Sequence, residues 1–357
     1  MRYIDQQETS LAAIQELERI TFNQSRIKTF NRCPKQYEYK YIQLLNPIKK
    51  SRPLFTGSWL HRALETHYTE GDWRVGHQEY VTEWDKLFIE EKTELSKRFG
   101  PIPDAVERIM KSYVWYYRDD GWKPYMVEQI LEVETPLKVA GKVFIFKGRL
   151  DLIVEDENGD YWMVDHKSAS RIPDPTSFHT MDPQLMLYPW AAEIQFGIKI
   201  KGIIYNYVRS KPPSIPHINK DGSLSRRKVD TDYPTLLRFL KENGFEPGYY
   251  LDALRPLSKR SPFLRRYRLP RESHVTKEVL LDTLSVVKRA QETKRFTRTI
   301  TRECSTQCSY HDLCRAELNG FDTQRMRETN FIVGEEDYTV DGSNVEAEDD
   351  RDESDEA

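Results

Sequence analysis

The order of the predicted elements indicates an α/β protein with a mixed central sheet flanked by helices. Helical patterns occupy most of the first 120 residues. Three consecutive segments rich in Val, Ile, Phe and Tyr then predict a β-meander, and one more helix and one more strand follow it. This order of helices, sheet, helix and strand predicts a sheet that contains both parallel and antiparallel strands.

Five helical patterns precede residue 120. Ser10 is able to cap the first, and Ser25 precedes the second, which leads into an aromatic stretch at 37–41. Gly100 and Gly121 mark the ends of the last two. The five patterns span residues 10–21, 25–30, 54–68, 77–98 and 104–119.

Turn residues divide the β-rich part of the chain into strands. Gly141 and the pair Asn158-Gly159 are typical of turns between antiparallel strands. A proline-containing segment, 210–225, predicts a hairpin tip or loop. The predicted strands are 126–139, 142–155, 161–167 and 202–208, and the predicted helices of this part are 182–196, 231–243 and 274–293.

Charge is unevenly distributed over the 357 residues. The formal net charge is −3, but residues 335–357 carry −11, which leaves +8 on the remainder. The acidic segment has few large apolar residues, and we expect it to be disordered because it cannot bury enough surface to offset the entropy of ordering. It either keeps the protein soluble or mimics DNA toward a basic partner.

Neither a membrane span nor a secretory signal is predicted. Apolar runs fall short of the roughly 18 residues that a span needs, and residues 1–10 lack a basic and an apolar region. We therefore expect a cytoplasmic protein that does not bind membranes. In a reducing compartment, its four cysteines are expected to be free, catalytic or bound to metal.

Two aspartates and a lysine on neighbouring predicted strands indicate phosphodiester chemistry. Asp151 and Asp165 are expected side by side, where two buried like charges need a cation between them. Carboxylate oxygens suit Mg²⁺ or Mn²⁺, and Lys167 projects to the same strand face as Asp165 because side chains alternate. Alternatively, these residues simply alternate on a half-exposed strand.

Two further motifs lie in helices on either side of these strands. His61, in Gly-Ser-Trp-Leu-His, is able to ligate the same metal or to pack in a helix interface. Gln184 and Tyr188 lie four residues apart and share a helix face, which either contacts DNA or is simply solvated. Glu132 and Glu134, on the strand before Asp151, either offer an additional carboxylate or simply lie on a solvated strand face.

In this order, the motifs G-x-x-x-H (57–61), G-R-L-D (148–151), V-D-H-K (164–167) and Q-x-x-x-Y (184–188) resemble the RecB-like branch of the PD-(D/E)XK nucleases. This branch includes CRISPR-associated RecB-like exonucleases, the AddB nuclease domain and phage exonucleases. The resemblance covers about residues 27–318 and implies a restriction-endonuclease-like core.

The resemblance also implies a role for each motif residue. Metal ligands would be His61, Asp151, Asp165 and the backbone carbonyl of His166. Lys167 would be the catalytic lysine. Asp151 and Asp165 would take part in catalysis through the metal, with Gln184 and Tyr188 as accessory active-site residues.

Four cysteines form the second cofactor motif. Cys33 stands alone, whereas the other three form C-x3-C-x5-C. Four thiolates suit a [4Fe–4S] cluster or a zinc ion, and the spacing alone does not separate the two; small buried hydrophobes are a third reading. The layout is similar to that of the iron–sulfur nucleases of the RecB-like branch, which favours [4Fe–4S] over zinc and a C-terminal iron–sulfur staple. The predicted ligands are Cys33, Cys304, Cys308 and Cys314.

A run of basic residues between 255 and 271 predicts a DNA contact. Seven cations without an intervening acid would repel one another unless an anion neutralises them, and the interleaved Phe263 and Tyr267 suit base stacking. A solvated charged face is the alternative. The residues chosen as DNA-binding are Arg260, Arg265, Arg266 and Arg268.

Together these features predict four regions. They are an N-terminal helical segment with the first cysteine (1–50), a nuclease core (51–210), a basic and helical DNA-contacting region with the cysteine triplet (211–333), and an acidic disordered tail (334–357).

The expected function is a Mg²⁺- or Mn²⁺-dependent DNA exonuclease in recombination, repair or end processing. Its expected partners are DNA, single-stranded or with free ends, and a recombination or annealing protein. A non-catalytic DNA clamp with the nuclease fold and a site-specific endonuclease are the alternatives.

Overall fold

One mixed β-sheet between two layers of helices organises the molecule. The structure is a computed structural model and describes residues 18–49, 51–139, 141–174, 181–225 and 229–335. It confirms the predicted α/β class with a mixed central sheet flanked by helices. Within the described residues, every helix is too short or too polar to cross a membrane.

The main sheet has six strands in the order β1-β4-β5-β6-β7, with β3 paired along the other edge of β4. Two pairs, β1 with β4 and β5 with β6, are parallel, and the others are antiparallel. A separate two-stranded sheet joins β2 and β8. The strands are β1 (Arg19–Phe22), β2 (Leu45–Pro47), β3 (Lys123–Val139), β4 (Lys142–Glu155), β5 (Tyr161–Ala169), β6 (Ile200–Arg209), β7 (Leu264–Pro270) and β8 (Phe331–Val333).

Strand β4 changes its partner halfway along one edge. Its first half pairs with β1 up to Phe146, and its second half pairs with β5 from Leu152 onward. Residues 147–151 therefore lie between two diverging strands, in a gap that we call the fork. The fork opens the sheet at the position of the G-R-L-D motif.

Helices cover both faces of the sheet. They are α1 (Gln24–Arg32), α2 (Pro34–Tyr37), α3 (Arg52–Glu70), α4 (Arg74–Lys86), α5 (Ile89–Ser96), α6 (Ile102–Tyr117), α7 (Pro183–Phe196), α8 (Tyr233–Glu242), α9 (Leu251–Lys259), α10 (Thr276–Glu292), α11 (Cys304–Gln307), α12 (His311–Leu318) and α13 (Gln324–Asn330). A π-helical turn, Glu38–Ile42, follows α2.

The two faces of the sheet have separate cores. Met163 and its neighbours pack against α7 and α10, in a cluster that also holds Phe146 and Leu187. Val164 and Trp162 point to the other face, toward Tyr68 of α3. Because side chains alternate along a strand, Asp165 and Lys167 belong to the α7 face and His166 to the α3 face.

Two of the predicted helices are wrong in part. Residues 19–22 form β1 instead of the end of a helix, since Ile20 and Phe22 are buried by parallel pairing with β4; residues 10–17 lie outside the described part. The predicted helix 77–98 is two helices. The exposed Phe88 separates them, and its amide donates to Glu91, which starts α5 anew.

The remaining predicted elements correspond to observed ones with small changes at their ends. Sequence reasoning placed no strand at 264–270, where β7 forms an edge of the sheet, and no elements at 304–333 apart from the cysteine motif. The acidic residues 336–357 lie outside the described part of the chain.

Candidate active site at the fork of the sheet

Asp151 and Asp165 face each other across the fork. The pairing of Leu152 with Val164 places them opposite one another, one step beyond the last paired residues. Both residues are only 8% exposed. The backbone amide of His166 donates a hydrogen bond of 2.7 Å to Oδ2 of Asp151. The two carboxylates are thus buried next to each other at the fork.

Asp165, Lys167 and Gln184 form a triangle of polar contacts. The ammonium of Lys167 lies 2.8 Å from Oδ2 of Asp165 and donates to Oε1 of Gln184 at 3.3 Å. Nε2 of Gln184 donates to Oδ1 of Asp165 at 3.3 Å. Gln184 is held in place because it lies in the first turn of α7, where Asp182 caps the helix.

His61 reaches the fork from the opposite side of the sheet. It lies on α3, and its Nδ1 is 3.7 Å from Oδ1 of Asp151. Among the contacts of the described residues, Nε2 of His61 is buried without a hydrogen-bond partner. A buried imidazole nitrogen that lacks a partner is suited to ligate a cation.

Glu128 is a third acidic group at the fork, and sequence reasoning missed it. Ligand atoms of His61, Glu128 and Asp151 all lie within 4.8 Å of one another. The backbone of Glu128 has φ = 50°, a left-handed conformation that costs a non-glycine residue about 1–3 kcal/mol. Burial and then the nearby Asp151 raise the pKa of Glu128 to about 8.

The two carboxylates that the sequence suggested as additional ligands, Glu132 and Glu134, pair with basic residues. Glu132 pairs with Lys147 at 3.1 Å, and Glu134 pairs with Arg19 at 3.4 Å, both largely exposed. Both lie on a solvated part of the strand, the alternative that the sequence left open. The register was not predictable, because a bulge between Glu134 and Lys138 shifts the pairing of β3 with β4.

The ring of His166 points away from these carboxylates into a polar network behind the sheet. Its Nδ1 lies 2.7 Å from Nδ2 of Asn206, whose Oδ1 accepts from Nε of Arg266 at 3.3 Å. With the amide oxygen turned toward Arg266, Asn206 donates to Nδ1 of His166, so the ring is neutral and carries its proton on Nε2. Full burial likewise lowers the pKa of His166 well below its ordinary value.

Tyr188 forms the α7 side of a pocket that contains Asp151 and Asp165. Its ring packs edge-on against Phe146 at 5.3 Å and lies directly over Gly148. A Cβ on Gly148 would come within 3.0 Å of the tyrosine hydroxyl. The glycine of G-R-L-D thus makes room for the tyrosine of Q-x-x-x-Y. The pocket is lined by Arg149, Leu150, Asp151, Met163, Val164, Asp165, Gln184, Tyr188 and Ile203.

A comparison with models of known protein families identifies the family of this chain. A family model described as the PD-(D/E)XK nuclease superfamily matches residues 21–315, which contain all of the fork residues. The chain belongs to the PD-(D/E)XK nuclease superfamily. No curated protein matches it significantly.

Two solved structures are similar to this PD-(D/E)XK chain at low identity. One is a protein of Eubacterium rectale described as a candidate exonuclease, with 12% identity, a TM-score of 0.41 and coverage of 87% of this chain and 93% of that chain. The other is the protein SSO0001, with 14% identity, a TM-score of 0.30 and coverage of 83% and 86% respectively.

The donor set at the fork of this PD-(D/E)XK protein fits a divalent cation. Asp151 and Glu128 supply hard oxygen ligands within 4.8 Å of an imidazole nitrogen of His61, whose Nε2 is buried without a partner among the described residues. Asp165 is buried beside Lys167, outside that group of three. Like charges buried this closely are stabilised by a cation between them. Mg²⁺ and Mn²⁺ match this chemistry.

The four cysteines lie around one backbone segment. Sγ of Cys33 accepts from the amide of Thr299 at 3.5 Å, and Sγ of Cys304 donates to the carbonyl of the same residue at 3.6 Å. Cys308 interacts electrostatically with both, and its pKa is raised by burial. Cys314 accepts from Nε of Arg298 at 3.2 Å.

Separations between the cysteine sulfurs differ from those of a single-ion site. Zinc–sulfur bonds of about 2.3 Å would bring four thiolates within about 4 Å of one another. Among the described residues, no three cysteine sulfurs lie within 4.8 Å of each other.

The arginines of the basic run occupy different environments. Arg265 pairs in register with Tyr207, as does Lys167, so Arg265 and Lys167 share the α7 face. Arg260 is exposed at the end of α9. Arg268 lies on the other face and contacts Asp156 at 3.3 Å and the ring of Trp162.

Arg266 is enclosed, unlike an arginine on an accessible DNA-binding surface. Its side chain is 14% exposed, pairs with Asp120 at 3.0 Å, and lies 3.5 Å from the ring centres of both Tyr117 and Trp122. Arg271 is likewise buried and bonded to Glu193 at 2.6 Å. Acids from distant parts of the sequence therefore neutralise Arg266 and Arg271.

Proposed function

We propose that this protein is a Mg²⁺- or Mn²⁺-dependent DNA exonuclease that acts at DNA ends in recombination, repair or end processing. The observation that carries the proposal is the convergence of Asp151, Asp165 and His61 with Lys167 at the fork. Membership of the PD-(D/E)XK nuclease superfamily supports a metal-dependent nuclease.

Each side chain has a role in this proposal. His61, Asp151 and Asp165, with the carbonyl of His166, hold the cation, and Glu128 adds a further carboxylate from β3. A divalent cation there supplies Lewis acidity and neutralises charge on the scissile phosphate. Lys167 orients the attacking water and stabilises the negative charge that develops on the phosphate, since its ammonium is held beside Asp165.

Gln184 and Tyr188 complete the site. Gln184 bridges Asp165 and Lys167, so it fixes their relative position. Tyr188 forms the wall over Gly148 against which a nucleotide can rest. The substrate track is proposed to continue over Arg260 and Arg265, of which Arg265 lies on the same face of the sheet as Lys167, whereas Arg268 lies on the other face.

The test compares Lys167→Met with wild type on end-labelled linear DNA and on a closed circle, in Mn²⁺. Wild type is expected to degrade only the linear substrates, and the variant to lose at least about 10²-fold in rate while it keeps DNA affinity in Ca²⁺. Lys201→Gln, an exposed lysine four residues before the partner of Asp165, is the control.

Different outcomes separate the alternatives. Cleavage of the closed circle would replace the exonuclease by an endonuclease. DNA binding without any cleavage, in wild type and variants alike, would support a non-catalytic clamp. Degradation at equal rates by wild type and Lys167→Met would remove the proposed catalytic role of the fork.

We further propose that Cys33, Cys304, Cys308 and Cys314 bind a [4Fe–4S] cluster. The support is that one N-terminal and three C-terminal thiols come together, three of them around the segment at Arg298 and Thr299. Anaerobically purified protein is expected to be brown, with about four irons per chain. Stoichiometric zinc in colourless protein would overturn this assignment.

A further inference from the structure

Lys28 is a second lysine at the catalytic centre, contributed by a part of the chain far from the motifs. Helix α1 carries it to the first turn of α7. Its Nζ lies 3.5 Å from Oε1 of Gln184, the oxygen that also accepts from Lys167 at 3.3 Å. Two ammonium groups therefore converge on one amide oxygen beside Asp165.

The two lysines differ in exposure. The side chain of Lys167 is 4% exposed, whereas that of Lys28 is 38% exposed. All other residues from Gln24 to Phe30 are buried, so Lys28 is the position at which this stretch of α1 reaches solvent. Lys28 thus lies at the rim of the site and Lys167 at its base.

The contacts of Lys28 within the protein are weak. Its distance to Oδ2 of Asp182 is 3.6 Å, and Oδ1 of that aspartate already caps α7 by accepting from the amide of Gln184. A partly exposed ion pair at this distance contributes little to stability. An ammonium has three donors, and these long contacts leave it able to bond a further anion.

The negative charges of the site give a reason for a positively charged side chain such as Lys28 at its rim. Asp151 and Asp165 repel an entering phosphodiester, and one divalent cation does not also neutralise the phosphates beside the scissile one. From these contacts we propose that Lys28 binds a backbone phosphate of the nucleic acid next to the scissile phosphate. This inference rests on the proposed nuclease function and extends it to a substrate-binding residue.

The experiment measures DNA affinity in Ca²⁺ by fluorescence anisotropy over a range of KCl concentrations. Lys28→Gln is expected to weaken binding about 3–10-fold at low salt and to reduce the slope of log K against log[salt] by about 0.7–0.9, the value for one phosphate contact. Lys28→Arg is expected to stay within about twofold of wild type because it keeps the charge.

Lys201→Gln is the matched control, since Lys201 is also exposed with one carboxylate partner, Asp160 at 3.0 Å. It is expected to keep the wild-type slope. Calorimetric Ca²⁺ affinity and the melting temperature are expected to be the same for Lys28→Gln and wild type, and under Mn²⁺ the variant is expected to show a raised KM with little change in kcat.

Two results would overturn the inference. One is a wild-type salt slope for Lys28→Gln. The other is a loss of the effect of Lys28→Gln on DNA affinity when the protein also carries Gln184→Ala. Lys28 would then act by positioning Gln184. Wild-type protein that neither binds nor cleaves DNA would instead remove the proposed function itself, and this inference with it.

Discussion

The backbone amide of His166 bonds to the carboxylate of Asp151 at 2.7 Å, across the point where β4 and β5 separate. This contact ties the two strands together beyond their last paired residues, Leu152 and Val164. It also turns the other oxygen of Asp151 toward His61, at 3.7 Å. One carboxylate therefore holds the fork together and faces the proposed metal position.

The first prediction separates these two roles of Asp151. Asp151→Asn retains an oxygen that can accept from the His166 amide but loses the negative charge. We expect the melting temperature to change by only a few degrees, and calorimetric Mn²⁺ affinity to fall by at least about tenfold, because a neutral amide is a weaker ligand. Asp160→Asn, on the surface, is the control. Unchanged Mn²⁺ affinity would show that the ion binds elsewhere.

The second prediction concerns Glu128 and pH. Because the folded-state pKa of about 8 lies above the ordinary value of 4.5, the fold favours the neutral carboxyl. In metal-free protein, the contribution of Glu128 to the free energy of unfolding is therefore fully retained below about pH 4.5. It declines as the pH rises from about 4.5 to about 8. Asp151 and Glu65 add to this effect, and Arg149 and Arg62 oppose it.

Glu128→Gln mimics the neutral form and is expected to raise the melting temperature of metal-free protein by roughly 2–8 °C at pH 9, and by almost nothing at pH 4.5. Glu132→Gln, exposed on the same strand, is expected to show no such trend. With saturating Mn²⁺ at pH 9, Glu128→Gln should instead melt at a lower temperature than wild type, because the ionised carboxylate of Glu128 then contacts the cation. A pH-independent difference between Glu128→Gln and wild type would contradict the assignment.

The fold class and the main motif residues could be predicted from sequence because they depend on local patterns. Alternation along β5 places Asp165 and Lys167 on one face, and helical spacing places Gln184 and Tyr188 together. Both relationships survive in the structure since they span few residues and need no knowledge of register.

Contacts over long sequence separations were not predictable. Glu128 reaches Asp151 only because a bulge shifts β3 against β4, and a simple count from the turn at Gly141 would place Ile130 there. Lys28 meets Gln184 across 156 residues. The acid that neutralises Arg266 lies 146 residues away, so a basic run could not be distinguished from a buried charge network.

The third prediction follows from the burial of Arg266. Removing one partner of a buried ion pair leaves the other charge uncompensated, and we expect Arg266→Met to cost about 3–5 kcal/mol in free energy of unfolding by urea. Arg268→Met is expected to cost about 1 kcal/mol or less, because the side chain of Arg268 is 47% exposed. If Arg266→Met instead leaves stability unchanged and weakens DNA binding, Arg266 contacts the substrate.

The fourth prediction tests the contact between Gly148 and Tyr188. A Cβ at position 148 would lie 3.0 Å from the hydroxyl and 3.2 Å from Cζ of Tyr188, which is buried against Phe146. Gly148→Ala is therefore expected to cost about 1–3 kcal/mol by overpacking and to displace the ring that walls the pocket.

Tyr188→Phe removes the closest atom of that contact, so it is expected to recover part of the loss in the double variant. The coupling free energy is expected to be about 0.5–2 kcal/mol, measured by a double-mutant cycle in urea. Gly248→Ala, where the nearest atom to an added Cβ is 3.7 Å away, is the control and should change stability by less than about 0.5 kcal/mol. Strictly additive effects of Gly148→Ala and Tyr188→Phe would mean that the two motifs do not pack against each other, and that the glycine of G-R-L-D serves the backbone of the fork alone.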